Sequence, residues 1–146
     1  NTMPIPVGYL DRLTNVYGIK ILAPVDDAVF NQWASINDWI DSDFRGMYKT
    51  CNGFVFEGGK VLPIFDDKNP KNTWDSMERA NSVNNSKFVR DELFLSEFYI
   101  FIEGLGMSFG AVRKTDNSLW FESCGDMHQS TAGFLEFVEL FIKDSE

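Results

Sequence analysis

An α+β domain built on a single, mainly antiparallel sheet, flanked by N-terminal and C-terminal helices, is the fold class this chain predicts. Three observations carry that reading. Apolar residues recur at helical spacing near both ends, at Leu10, Leu13 and Tyr17 and again at Phe134, Phe137, Val138 and Phe141. Between them lie short runs of β-branched and aromatic residues separated by turns rich in glycine and asparagine. Most of these runs follow one another directly, which selects an antiparallel meander over a parallel sheet with crossover helices. With 146 residues, the chain reads as one domain over residues 1–146, long enough to bury one sizeable core.

The elements follow in order. Met3 to Pro6 reads as an extended lead-in; Asn1-Thr2 before Met3 is either native or a cloning remnant, and the sequence leaves both open. Leu10, Leu13 and Tyr17 share a face of a first helix that Gly18 ends. Ile19 to Leu22 is a brief strand or a connector. Asp26-Asp27 opens a second helix to about Ser35, with Val29, Phe30, Trp33 and Ile36 in its period and negative charge at its N-terminus. A third helix, capped by Asp41 or Ser42, carries Phe44, Met47, Tyr48 and Cys51 inward. Asn52-Gly53 stops it, because a helix C-terminus often needs a residue at positive φ. Phe54 to Phe56 and Val61 to Phe65 then form a hairpin around Glu57 to Lys60.

Asp66 to Asn72 is turn chemistry, and Thr73 is positioned to cap a short helix bearing Trp74, Met77 and Ala80. Asn81 to Lys87 is polar, and Phe88 to Ser96 is ambiguous. The sheet resumes with the fully apolar run Phe98 to Ile102, turns at Gly104-Leu105-Gly106, and continues through Met107 to Arg113 and Leu119 to Cys124. Gly125 to Ser130 breaks the strand pattern. Ser130 or Thr131 then caps a last helix whose Phe134, Phe137, Val138 and Phe141 lie on the sheet.

Composition narrows the function. A hydrophobic fraction of 44% with 14 Phe and 4 Trp excludes disorder. A net charge of −9 and a pI near 4.5 disfavour direct contact with nucleic acid or an anionic membrane, and suit a basic partner. No apolar run approaches the roughly eighteen residues a membrane-spanning helix needs, and no secretory leader opens the chain, so a cytoplasmic location with reduced thiols is expected. Cys51 and Cys124 have no metal-ligand spacing, and His128 is the single histidine, so no metal or cofactor is expected. Gly104 to Gly110 departs from a dinucleotide fingerprint, since its third glycine comes one place late and no helix follows. Gly106-Met107-Ser108-Phe109-Gly110 has the spacing of a nucleophile elbow, but the stretch joins two strands where an elbow leads a strand into a helix.

The acidic groups and exposed-looking tryptophans are the remaining candidates. Asp38, Asp41 and Asp43 precede the third helix, and Asp66 and Asp67 follow the hairpin. Such pairs serve as helix caps and solvated turns, as general acid and base, or as steering charge for a cationic partner. Trp39 and Trp74, flanked by polar residues, are candidate contact aromatics.

The aromatic helix ending in Asn52-Gly53 after Phe44 and Tyr48, the hairpin with Leu62-Pro63, the strand, glycine turn and strand from Tyr99 to Val112, and the aromatic helix from Phe134 to Phe141 together resemble the SUKH superfamily. That family includes bacterial immunity proteins and fungal cell-wall synthesis regulators. The likeness covers about Asp38 to Ile142, and Ile36-Asn37-Asp38-Trp39 stands where such proteins usually carry Leu-Pro. The resemblance implies one main sheet flanked by helices and a non-enzymatic protein that neutralises a cognate toxin domain, often a nuclease, by occlusion. Asp38, Trp39, Asp41, Asp43, Asp66, Asp67 and Trp74 are then the expected partner-binding residues, and the partner is expected to be basic. A cell-wall or signalling adaptor is the alternative, and a small hydrolase using the acidic pairs stays open.

Overall fold

The computed structural model describes residues 5–144. Met3 and Pro4 of the predicted lead-in and the Asn1-Thr2 pair lie outside the described residues. Seven strands pair in sequence order, each antiparallel to the next: β1 (Lys20–Ile21), β2 (Phe54–Phe56), β3 (Gly59–Val61), β4 (Phe98–Glu103), β5 (Phe109–Arg113), β6 (Leu119–Ser123) and β7 (Asp126–Ser130). α1 (Tyr9–Tyr17) precedes the sheet, and α2 (Asp27–Ile36) and α3 (Ser42–Thr50) lie between β1 and β2. Three short helices, α4 (Pro70–Thr73), α5 (Met77–Ala80) and α6 (Glu92–Glu97), separate β3 from β4, and α7 (Phe134–Asp144) follows β7. The class is α+β with one antiparallel sheet.

Local chemistry sets the helix starts. Asp26 caps α2 by accepting Val29 N–H at 3.0 Å, and Asp41 caps α3 by accepting Phe44 N–H at 3.1 Å. At the end of α3, Asn52 is buried and bridges both main-chain groups of Ile64: its Nδ2 donates to Ile64 O at 3.0 Å and its Oδ1 accepts Ile64 N–H at 2.8 Å. Gly53 follows at φ 77°, and a Cβ there would stand 2.3 Å from Val61 O, so only glycine lets β2 leave α3 this closely against β3.

The alternation of β4 divides the core. Tyr99 and Phe101 face α2, α3 and α7. Trp33 Nε1 donates to Tyr99 OH at 3.0 Å, and the Phe101 ring lies 5.1 Å from Phe44 and 5.6 Å from Phe134. Phe98 and Ile100 face the other side, where Phe94 of α6 stacks on Phe98 at 4.9 Å. Asn81, just after α5, holds Ile100 N–H at 2.8 Å and Ile100 O at 2.9 Å where the β4–β5 register slips. α1 is tied to α7 through Tyr9 OH to Leu135 O at 2.8 Å and the paired hydrogen bonds of Arg12 to Glu139, both 2.8 Å.

Several elements differ from the sequence expectation or settle what it left open. Gly125 to Ser130 is not a break. Cys124 at φ 53° and Gly125 at φ 87° make a two-residue turn, and Asp126–Ser130 pairs along the whole of β6. Ile19 to Leu22 contains a true edge strand, and the ambiguous 88–96 stretch holds most of α6, capped by Asp91. Thr73 ends α4, which begins at Pro70, and Ser76 caps α5 by accepting Arg79 N–H, so Trp74 sits between two helices instead of on a helical face. The β3 ladder stops at Val61, and Leu62 to Ile64 continue as buried extended chain held by Phe101, Tyr48 and Asn52. Gly104-Leu105-Gly106 is built around a 3-10 turn, Leu105–Met107. Neither Ser130 nor Thr131 immediately precedes α7: Gly133 O accepts Phe137 N–H, and Ser130 Oγ takes Ala132 N–H in the lead-in.

Candidate partner-binding surface

The predicted acids and tryptophans do not gather at one place. Asp66, Asp67 and Trp74 gather where the extended 62–65 chain leaves the sheet. Asp66 is half-buried and builds the turn: its Oδ1 accepts Lys68 N–H at 3.0 Å, while Thr73 Oγ1 accepts its N–H at 3.0 Å and donates to its carbonyl. Asp67 is exposed and lines a recess of about 300 Å³ with Val29, Gln32, Ile36, Asn37, Phe65 and Glu78. Trp74 is 60% exposed, lies edge-on to Phe65 at 6.4 Å and carries the Arg79 guanidinium 5.1 Å above its ring. Phe65, Trp74, Glu78 and Arg79 line a second recess of about 330 Å³.

The two recesses share Phe65 and Glu78, so they form one continuous strip. Burial desolvates the Glu78 carboxylate and raises its pKa, while the Phe65 N–H that it accepts at 3.1 and 3.2 Å pulls the other way. Ile36, 73% exposed in the last residue of α2, supplies an aliphatic edge to the strip. Neither Ile36 nor Glu78 was anticipated. Ile36 fits the inward period of α2, and only the tertiary arrangement reveals that the last turn overhangs the core. Glu78 carries no local signal.

Asp41 and Asp43 belong elsewhere. Both are exposed at the start of α3 and line a polar recess of about 300 Å³ with Asn117, Ser118, Gln129 and Ser130. Asp38 is exposed in the link between α2 and α3, beside Asn37 of the strip. Trp39 is only partly exposed. Its ring packs 4.9 Å from Tyr99 and 6.0 Å from Phe44, and its carbonyl accepts Asn117 Nδ2 at 3.1 Å, so most of its surface is committed to the core.

Other candidate chemistry is placed plainly by the fold. Among the described residues, no three or more His, Cys, Asp or Glu side chains come together to hold a metal ion. His128 lies on β7 with its ring 5.2 Å from Phe121. Cys51 is fully buried, and burial pushes its thiol up to about 11, while Cys124 is exposed in the β6–β7 turn; both are free thiols. Among the described residues no helix is long and apolar enough to cross a membrane. A scan against protein-family models gives no match, and a search of the curated proteins gives none either.

Proposed function

We propose that this chain is a non-enzymatic binding protein that occludes a basic protein partner, as an immunity protein occludes its cognate toxin domain. The observation that carries the reading is the strip of Ile36, Phe65 and Trp74, three large apolar side chains around two joined recesses, edged by Asp67 and Glu78 with Asp38 close by in the chain. An exposed tryptophan beside a recess is the kind of anchor that supplies most of an interface's affinity. Acids on its border raise the association rate of a cationic partner more than they deepen affinity. The remainder of the −9 charge acts in the same direction over longer range. The resemblance to the SUKH superfamily supports the same reading, with the toxin domain as partner and the cytoplasm as the place of encounter. Two free thiols suit that compartment.

The test is an activity assay. The C-terminal domain of the protein encoded immediately upstream in the source genome is assayed with the wild-type chain and with Ile36→Asp combined with Trp74→Ala. The wild type suppresses the toxin's activity, and the double variant requires about thirtyfold or more protein for the same effect, as expected on removing a central anchor. Suppression by both proteins alike removes the strip as the contact surface. Activity untouched by the wild type moves the reading to the adaptor class.

A further inference from the structure

The two edges of the sheet are treated differently. β1 is only two residues long, which is one way natural proteins blunt an edge. β7 runs five residues with no proline, no lysine and no bulge in its register with β6. The Cys124-Gly125 turn makes Ser123 and Asp126 the closing hydrogen-bonded pair, so the pairs Phe121 with His128 and Leu119 with Ser130 also exchange main-chain bonds. The main-chain groups of Met127 and Gln129 therefore point away from β6, and no turn or loop group among the described residues meets them.

This edge is bordered by apolar surface and by acid. A groove of about 310 Å³ runs along the α7 side of β6 and β7, walled by Phe121, Phe137, Leu140 and Phe141, with Leu140 42% exposed. Glu122 and Asp144 line it, and Asp126 stands at the same end of β7. At the other end of β7, Gln129 and Ser130 line the polar recess that holds Asp41 and Asp43. Lys143 in the last turn of α7 acts on Glu139, the partner of Arg12.

We propose that β7 is a docking edge for an extended segment of a basic partner, which adds as an eighth strand through Met127 and Gln129. Alternate side chains of the added strand project on the α7 side, where an apolar one meets Leu140 and the groove. Its lysines or arginines reach Asp41 and Asp43 at one end and Glu122, Asp126 and Asp144 at the other. A second copy of this chain is the poorer occupant, because pairing β7 with β7 would bring two chains of net charge −9 edge to edge. The inference rests on the basic-partner reading above, but uses a surface separate from the Ile36, Phe65 and Trp74 strip.

The test is an NMR titration of the isotope-labelled full chain with a synthetic peptide of alternating lysine and valine, and with its glutamate counterpart. The lysine peptide shifts the amides of Met127 and Gln129 and slows their exchange, and the glutamate peptide does not. Gln129→Pro removes an outward donor without breaking the ladder and weakens binding by about tenfold or more. Wild-type shifts confined to Ile36, Phe65 and Trp74 overturn the docking edge while leaving the basic partner in place. Equal binding of the glutamate peptide, no shift at β7, or undiminished binding by a folded Gln129→Pro chain overturns it outright. Doubling of the wild-type mass on a sizing column, with the same amides affected before peptide is added, assigns the edge to a second copy and overturns it as well.

Discussion

Asn52 is the residue on which the junction of α3 with the first hairpin depends. It satisfies two buried main-chain groups of Ile64 that no ladder reaches, and an unsatisfied buried group costs about 1–3 kcal/mol. Asn52→Ala is therefore expected to destabilise the chain by about 2–4 kcal/mol in urea unfolding, with the slope unchanged. This junction was legible in the sequence because its determinants are local: a helical period, an Asn-Gly stop and a β-rich run. The two tryptophans were not separable that way. Trp39 and Trp74 both sit among polar neighbours, yet Trp39 packs on Tyr99 and Phe44 while Trp74 remains 60% exposed. The cysteines differ as sharply. At about pH 8 a thiol reagent is expected to modify exposed Cys124 at once and buried Cys51 only on unfolding, so a native Cys124→Ser chain shows no fast phase.

Among the elements, α1 and α7 are coupled by a contact that reads pH. Arg12 and then Tyr17 hydrogen-bond the Glu139 carboxylate and hold it down at about 2, against an ordinary value of 4.5. A depressed carboxylate stabilises the fold above its unfolded pKa, and that contribution is lost as pH falls from about 4.5 to about 2. Glu139→Gln is thus expected to lower the Tm by a few degrees at neutral pH, and the gap to wild type should close near the bottom of that window. Salt should narrow it too, since Arg12 is half exposed. The periodic helices were legible element by element, whereas β7 was not. Asp126–Ser130 holds one apolar residue, Met127, and no β-branched one, so nothing in its own composition announces a strand; the positive φ of Cys124 and Gly125 and the long ladder with β6 make it one. The split of α4 from α5 was missed for a different reason. Pro70 at a first turn and Ser76 three residues before Arg79 were both visible signals, and Thr73 offered a competing cap.

For the whole molecule, the sheet order follows the chain, and that is why the fold class could be read from run after run of apolar residues. The surface could not. Ile36 and Glu78 become part of a strip only because α2, the 62–65 chain and α5 converge, and Asp41 and Asp43 face Gln129 and Ser130 from the far end of the sequence. Acids bordering such a surface should act mainly through encounter. Asp67→Asn combined with Asp38→Asn is expected to slow association with the partner severalfold at low salt and little at high salt, with dissociation nearly unchanged, as stopped-flow or surface-binding kinetics would report. Trp74→Ala should do the reverse, leaving the association rate and speeding dissociation.

The most direct single measurement is a sizing-column run of the wild-type chain mixed with the C-terminal domain of the upstream-encoded protein, at equal and low micromolar concentration. Co-elution as one stoichiometric complex, lost when Ile36→Asp and Trp74→Ala are introduced into a chain that still melts like wild type, is what a partner-occluding protein with its anchor on this strip requires. Separate elution of the two wild-type proteins would contradict it.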